Sequence, residues 1–288
     1  MAADAWPIRR LLEWTEKYFR EKGIDSPRLD AQLLLAHTLG CKKIDLYVRS
    51  DEEPPEAKRT AFKDLIRRRL EGCPVAYLIG QREFYQLTLE ITPAVLIPRP
   101  ETEILVMEAL RQLKGKESPR VLDIGTGSGC IALTIAQQHK TAVVTATDRS
   151  PEALAIARKN ATTHRLIDRV RFLEGDLFAP LGEELFDLIV SNPPYIPTSD
   201  ISGLMKEVRD FEPISALDGG SDGLAMYRRL IPDAAAHLVE KGGLLLEIGS
   251  TQEAAVRKLI EGTGAFESLV TFVDLQKHPR VIGARRMA

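Results

Sequence analysis

Phe186-Asp187-Leu188-Ile189-Val190-Ser191-Asn192-Pro193-Pro194-Tyr195-Ile196 joins a short apolar run to a double proline. Leu188, Ile189 and Val190 follow one another without a polar break and include β-branched residues. This is the pattern of a strand covered on both faces, as in a parallel sheet. Pro193 and Pro194 have no N–H for a ladder and hold φ near the extended region, so the chain leaves the sheet as a stiff, non-helical segment. Asn192 and Tyr195 flank that segment at the carboxyl end of the strand, where ligands bind in open α/β sheets. Asn192 offers a carbonyl acceptor and an NH2 donor, and the carbonyl of a residue preceding proline adds a second acceptor of fixed direction. Together they can hold the NH2 of a planar amide or amidine-like group while Tyr195 lies against its face. An Asn-Pro pair alone is commonly just a turn. The four residues together, at the end of a buried strand, point to a planar nitrogen nucleophile.

At 288 residues the chain exceeds the commonest single-domain size. With 44% hydrophobic residues it can bury a sizeable core, and its formal charge of -2 argues against a duplex nucleic-acid binder. Cys41, Cys73 and Cys130 are scattered and include no Cys-x-x-Cys pair, so neither a disulfide framework nor a zinc site is indicated. The histidines are also dispersed, and His37 reads as a structural helix residue rather than a ligand. Met1 to Arg10 shows no secretory pattern, and no run approaches the about 18 apolar residues of a membrane span. The expectation is a soluble protein of a reducing compartment.

Working outward, the first 75 residues read as a helical bundle. Pro7 opens a helix with Ile8, Leu11, Leu12, Thr15 and Tyr18/Phe19 at helical spacing, which Gly23 ends. Ser26-Pro27 opens a second with a face of Leu29, Leu33, Leu34 and His37, closed by Gly40. Lys43 to Ser50 is a short helix or loop, and a third clear helix carries Phe62, Leu65, Ile66, Arg69 and Leu70. Arg67-Arg68-Arg69 reads as a solvated helix face because nearby acids balance it. Residues 76–100 form a hairpin and linker: Glu83 to Thr92 alternates through Phe84, Leu87, Leu89 and Ile91, and Leu96 to Glu103 is extended into an acidic helix start.

Residues 101–288 form the third segment, where strands and helices alternate as in a doubly wound sheet. The expected strands are Arg120–Ile124, Ala142–Thr147, Val170–Glu174, Asp187–Ser191, Leu244–Ile248, Leu269–Val273 and Arg280–Ala284. The connection between the last two is too short for a parallel crossover, so the final strand should be antiparallel. Asp123-Ile124-Gly125-Thr126-Gly127-Ser128-Gly129 follows the first of these strands and runs into an apolar helix. Its glycines allow a sharp turn and close backbone approach to a ligand beside a helix N-terminus. Gly127 to Ala132 also fits the G-x-G-x-x-A dinucleotide pattern, and Asp148 lies at the distance of a ribose carboxylate in either case. The glycines by themselves leave the adenosine cofactor open.

Asp123 followed by G-x-G-x-G, together with an antiparallel seventh strand, resembles the S-adenosylmethionine-dependent methyltransferases, whose Rossmann-like α/β sheet is seven-stranded. With Asn192-Pro193-Pro194-Tyr195 in place, the chain is most similar to the release-factor glutamine N5-methyltransferases, the PrmC/HemK family. The likeness spans nearly the whole chain. It includes Pro74, Tyr77, Gly80, Glu83 and Phe84, the Leu96–Glu103 linker, Phe211-Glu212-Pro213, Ala216-Leu217, Gly219-Gly220 and Asp222-Gly223-Leu224, and a helical N-terminal domain of this size.

The resemblance implies methyl transfer from S-adenosylmethionine to the side-chain amide nitrogen of the glutamine in a Gly-Gly-Gln tip of peptide chain release factors, leaving S-adenosylhomocysteine and needing no metal. It places Gly125, Thr126, Gly127, Ser128, Gly129, Asp148, Asp176, Leu177 and Asn192 at the cofactor, with Asp148 on the ribose and Asp176 and Leu177 at adenine. Leu177 stands where many relatives carry tryptophan. Asn192, Pro193, Pro194 and Tyr195 would hold the amide, and the helical domain would grip the release factor in the cytoplasm. No stable nucleic-acid binding and no membrane contact are expected. Two alternatives are a methyltransferase for an exocyclic amine of a nucleic-acid base, since the same motif can hold a flipped base, and a non-catalytic cofactor-binding scaffold.

Overall fold

The computed structural model describes residues 5–288; residues 1–4, part of the stretch read above for a leader, lie outside the described residues. The chain divides into two compact units. One runs to Gly80 and takes in Met205–Phe211, and the other comprises Gln81–Leu204 and Glu212–Ala288.

The first unit contains α1 (Ile8–Glu21), α2 (Pro27–Leu39), α3 (Asp45–Val48), α4 (Glu56–Leu70) and α5 (Val75–Ile79). Ile8, Leu11 and Phe19 of α1, Leu34 and Leu35 of α2, Leu46 of α3, and Phe62 and Ile66 of α4 make a single core. Spacings of three and four residues put Phe62, Ile66 and Arg69 on one stripe of α4. Arg69 is consequently interior: it is only 8% exposed. Its guanidinium donates to Asp30 at 2.8 Å and pairs with Glu207 at 2.7 Å, the latter on a helical turn, Lys206–Arg209, supplied by the inserted segment. This corrects the reading of Arg67-Arg68-Arg69 as one solvated face. Arg67 and Arg68 are exposed, with Arg67 paired to Asp64 and Glu71, whereas Arg69 is drawn inward by two carboxylates.

The same pair corrects the face of α2. Its buried residues are Asp30, Ala31, Leu34, Leu35, Ala36 and Thr38, while Leu29 and His37 are exposed. A hydrophobic stripe cannot count an inward aspartate, so the expected face was rotated away from Asp30. Burial outweighs the ion pair at Asp30 and holds its carboxyl above the usual range. Ser26 occupies the N-cap position of α2, but its side chain makes no capping hydrogen bond.

The second unit opens with an antiparallel hairpin, β1 (Gln81–Phe84) and β2 (Leu87–Glu90). There follow α6 (Thr102–Leu113), β3 (Arg120–Ile124), α7 (Cys130–Gln138), β4 (Val143–Asp148), α8 (Pro151–Thr163), β5 (Val170–Glu174) and β6 (Phe186–Ser191). After α9, the Lys206–Arg209 turn, come α10 (Ala225–Ala236), β7 (Leu238–Glu247), α11 (Glu253–Glu261), β8 (Phe266–Val273) and β9 (Pro279–Arg286). Among the described residues β3 to β9 form a seven-stranded sheet of order β5-β4-β3-β6-β7-β9-β8. β9 is antiparallel to both its neighbours, and the remaining pairs are parallel.

Leu122, Ile124, Ile189, Leu244 and Leu246 share a cluster with Tyr227, Leu230 and Ile231 of α10 and with Val256 and Ile260 of α11. Val121, Val190 and Leu245, alternating with them, are equally buried. Covered faces on both sides explain the unbroken apolar runs. β7 begins at Leu238 rather than at the expected Leu244, because Leu238 pairs with Phe186 across a bulge. The polar stretch 240–243 hides that extension from a hydrophobicity reading. No helix among the described residues is long and apolar enough to cross a membrane.

Arg69→Met, which strands Asp30 and Glu207, should lower unfolding free energy by about 3–5 kcal/mol in urea titrations. Arg67→Ala should change it by about 0.5 kcal/mol at most. Equal midpoints for the two variants would show that the buried network contributes nothing beyond a surface pair.

Candidate active site

A cavity of about 500 Å³ opens at the carboxyl ends of β3, β4 and β6, lined by the glycine loop after β3, Asp148 of β4, Asp176 and Leu177 after β5, and Asn192, Pro193 and Pro194 after β6. A parallel sheet turns these strand ends to one edge, so loops far apart in sequence converge there.

Gly125 and Gly127 have φ of +72° and +55°, and a Cβ at either would meet nothing within 4 Å. The loop therefore keeps open space on the side a Cβ would take. Gly129 does a different job. It has φ +84°, does not line the cavity, and a Cβ there would press on Leu133 and Ala157 at 3.0 and 3.3 Å. Its smallness seats α7. The Gly127 N–H donates to Asp148 Oδ2 at 2.9 Å and the Ser150 N–H to Asp148 Oδ1 at 3.0 Å, so the carboxylate is fixed by backbone. Each oxygen keeps a further lone pair for a ligand hydroxyl. Ser150 Oγ caps α8 by accepting from the Ala153 N–H, which leaves Asp148 free of the capping role. The hydroxyls of Ser128 and Thr147, both of which line the cavity, are buried without partners.

Asp123 is fully buried beneath this loop, where it accepts from the Thr126 hydroxyl at 2.7 Å and the Ala132 N–H at 3.1 Å. Burial pushes its carboxyl up to about 7, and these two hydrogen bonds only partly offset that. Asn160 fixes the loop from the other side. Its amide pairs with both backbone groups of Glu90 and donates to the Ser128 carbonyl at 2.9 Å, tying the hairpin to the glycine turn. Leu177 is 8% exposed and adopts φ +53°, a left-handed conformation unusual for leucine. Asp176 is half exposed and paired to Arg229. An open glycine cradle, a backbone-fixed carboxylate, orphaned hydroxyls and a leucine wall fit a nucleoside with an adjoining polar tail.

At β6, Ser191 Oγ donates to the Ile124 carbonyl at 2.8 Å, locking the ends of β6 and β3 together. Asn192 follows, partly buried, and its Nδ2 donates to the Thr102 hydroxyl at 3.2 Å. Tyr195, expected against the face of a bound amide, is not among the residues lining the cavity. Its carbonyl accepts from Gln252 Nε2 at 2.9 Å, and Gly219 and Gly223 pack so closely on its backbone that a Cβ would come within 2.8 and 2.4 Å. The glycines quoted in the sequence thus let a second loop lie flat on the Asn-Pro-Pro-Tyr segment. Burial and nearby Glu247 push the Tyr195 phenol to about 12, and burial pushes the Cys130 thiol to about 12. Neither supplies an anion near neutral pH.

Four residues of this region escaped the sequence reading. Arg99 lines the cavity and donates to the buried Glu212 at 2.6 Å. Thr102 and Gln252 hold the loop, and Glu247 ends β7 at 2% exposure. Burial, with Glu101 adding to it, raises Glu247 to about 7. Arg99 and Thr102 lie in the Leu96–Glu103 linker quoted above, though these contacts could not be read from it, and Glu247 and Gln252 belong to no local motif. Among the described residues no group of three or more His, Cys, Asp or Glu is placed to hold a metal ion.

Residues 10–80 match the family described as "PrmC N-terminal domain", and residues 102–207 match the one described as "Methyltransferase small domain". A release factor glutamine methyltransferase of Rhodopirellula baltica is 46% identical over 286 residues, covering 98% of this chain and 97% of its own. One from Geobacter sulfurreducens is 44% identical over 282 residues, 98% of each chain. A solved methyltransferase from Pyrococcus furiosus shares the fold, with TM-score 0.51 and 18% identity over 78% of this chain and 100% of that one.

Because the folded carboxyl of Asp123 lies above its unfolded value, its contribution to stability is present at pH 4 and is lost as pH rises through about 7. Asp123→Asn lacks that loss. The stability of the variant relative to the parent, from chemical unfolding at pH 5 and pH 8, should therefore shift in favour of the variant at the higher pH. A constant difference would mean that Asp123 titrates normally.

Proposed function

The chain belongs to the release factor glutamine methyltransferase family, and we propose that Asn192 and the backbone of the Asn-Pro-Pro-Tyr loop hold the substrate glutamine at the cavity lined by the glycine loop. It is an S-adenosylmethionine-dependent protein-glutamine methyltransferase. The observation that carries the site assignment is the meeting of an anchored Asn192 with the open glycine cradle in one cavity.

When bound, S-adenosylmethionine supplies an electrophilic methyl group and is left as S-adenosylhomocysteine. Gly125, Thr126, Gly127 and Ser128 would hold its polar tail, Asp148 its ribose hydroxyls, and Asp176 and Leu177 its adenine. Gly129 acts one step back, by seating α7. The chain's own task is to overcome the reluctance of an amide nitrogen, whose lone pair is delocalised into the carbonyl. The Asn192 carbonyl and the Pro193 carbonyl accept from the substrate NH2, which orients the nitrogen and favours its loss of planarity. Pro194 keeps the turn rigid. Tyr195 contributes by anchoring the loop through its carbonyl.

The target nitrogen is the glutamine N5 of the Gly-Gly-Gln tip of peptide chain release factors, and the helical unit is the element that receives the factor. With a net charge of -2, the chain is not built to retain nucleic acid. Its place of work is the cytoplasm, where its substrate acts.

With labelled S-adenosylmethionine, label should appear on a release factor and not on its tip Gln→Ala variant, DNA or ribosomal RNA. Label on nucleic acid alone would move the substrate to a base amine. Asn192→Ala should reduce turnover about 100-fold or more with cofactor affinity largely kept. Asp148→Ala should weaken cofactor binding about 10-fold or more. Parental turnover in the first, or parental affinity in the second, would remove that residue from its role.

A further inference from the structure

Two residues beyond Pro193 lies the carbonyl of Tyr195, held by a side chain from a distant part of the chain. Pro193 and Pro194 have fixed φ, so few torsions separate this carbonyl from that of Pro193. Where the first is held, the second follows. Its donor is Gln252 Nε2 at 2.9 Å, and the same nitrogen donates to the Gly223 carbonyl at 3.2 Å. Tyr195 and Gly223 stand outside the helices and strands, and among the described residues no other donor meets either carbonyl. Two carbonyls that converge on one point repel. An NH2 placed between them gives one proton to each.

The Gln252 amide has one workable orientation, because Oε1 accepts from the Gly249 N–H at 3.0 Å. A half-turn would set oxygen against two carbonyls and NH2 against an N–H. The Gln252 N–H in turn donates to the Gly249 carbonyl at 2.9 Å, so residues 249–252 form a turn closed from both sides. Glycines leave room for the amide: a Cβ at Gly223 would come within 2.6 Å of Nε2, and one at Gly249 within 2.9 Å of Oε1. Gln252 is also the N-cap residue of α11, yet its side chain makes no capping hydrogen bond. It is committed to two loops instead of to its own helix.

Those loops carry two parts of the cavity lining. One supplies Asn192, Pro193 and Pro194, and the other supplies Pro213 to Ala216 and Asp218. Beyond the cavity they run side by side, with the Ile196 N–H donating to the Leu217 carbonyl at 3.0 Å and the Gly219 N–H to the Ile196 carbonyl at 2.8 Å. Gln252 itself does not line the cavity, and none of these side-chain hydrogen bonds reaches the glycine loop or Asp148.

We propose that Gln252 is a positioning residue for methyl transfer: its amide locks the Asn-Pro-Pro-Tyr loop to the 213–223 loop and so fixes where the Asn192 and Pro193 carbonyls meet the substrate NH2. The inference rests on the assignment of the Asn-Pro-Pro-Tyr loop as the holder of the glutamine amide. Without the Gln252 NH2 the Tyr195 and Gly223 carbonyls move apart, the acceptor edge shifts, and the nitrogen leaves its line with the methyl group. That error costs rate and leaves cofactor binding alone.

Steady-state kinetics with a release factor, calorimetric cofactor binding and thermal melting would be compared for the parent, Gln252→Glu, Gln252→Met, Asn192→Ala and the Gln252→Met/Asn192→Ala double variant. Gln252→Glu keeps the length and the acceptor for Gly249 but lacks the NH2, and Gln252→Met keeps the length alone. Each should lower kcat about 10- to 100-fold. Cofactor affinity should stay at the parental value, and melting should stay above the assay temperature. A merely structural role would lose stability and cofactor affinity together with rate. The double variant should lie within about threefold of Asn192→Ala, because Gln252 acts through the acceptor edge that Asn192→Ala already disables.

Parental kcat in Gln252→Met or Gln252→Glu, a loss of cofactor affinity as large as the loss of kcat, melting of both below the assay temperature, or a further large loss in the double variant would overturn the inference. Each of those results leaves the substrate assignment standing. If the parent itself labels no release factor, the substrate assignment falls and the inference falls with it.

Discussion

Pro193 and Pro194 bring no N–H into the interior, and much of the cavity's construction answers to that absence. A strand that stops at two prolines cannot be steadied by further ladder bonds, so the loop after β6 is held by other means. Ser191 binds the end of β3, Gln252 takes the Tyr195 carbonyl, and Gly219 and Gly223 let a second backbone lie against it. Ile196 then resumes pairing, with its N–H donating to Leu217 and its carbonyl accepting from Gly219. The outcome is an acceptor edge that ends the strand at the Asn192 amide, and that amide is met by Thr102.

The charged groups around the cavity are handled in three ways. Asp148 is partly exposed and satisfied by backbone N–H groups, with lone pairs to spare for a ligand. Glu212 is buried but paired with Arg99. Asp123 and Glu247 are buried without a partner cation in contact and are held near 7, which is the cost of using a carboxyl as an internal strut in a region that must stay polar. Asp123 braces the turn under the glycines, and Glu247 ends β7 beside the end of β6.

A similar economy operates in the helical unit, where Arg69 satisfies Asp30 on one side and Glu207 on the other. Glu207 arrives from a segment that the chain inserts between Leu204 and Glu212. The helical unit is thus completed by residues that follow the Asn-Pro-Pro-Tyr loop in sequence, and its core is discontinuous in the chain although continuous in space. A local reading could not have assigned Lys206–Arg209 to it, since nothing in that turn marks which core it joins.

What the sequence by itself determined is what local rules encode. Unbroken apolar runs at Ile189 and Leu244 identify buried parallel strands, a connection too short for a crossover makes β9 antiparallel, and the glycine loop and double proline mark two strand ends. Those signals hold because strand period, proline chemistry and glycine freedom act within a few residues. Only the tertiary structure decided the inward turn of Arg69, the separation of Gly129 and Tyr195 from the cavity lining, and the arrival of Thr102, Glu247 and Gln252 at Asn192 and its loop. Each of these depends on partners tens of residues away. The direction of a polar side chain is set by where its donor or acceptor lies in space, and neither hydrophobic period nor motif spacing records that.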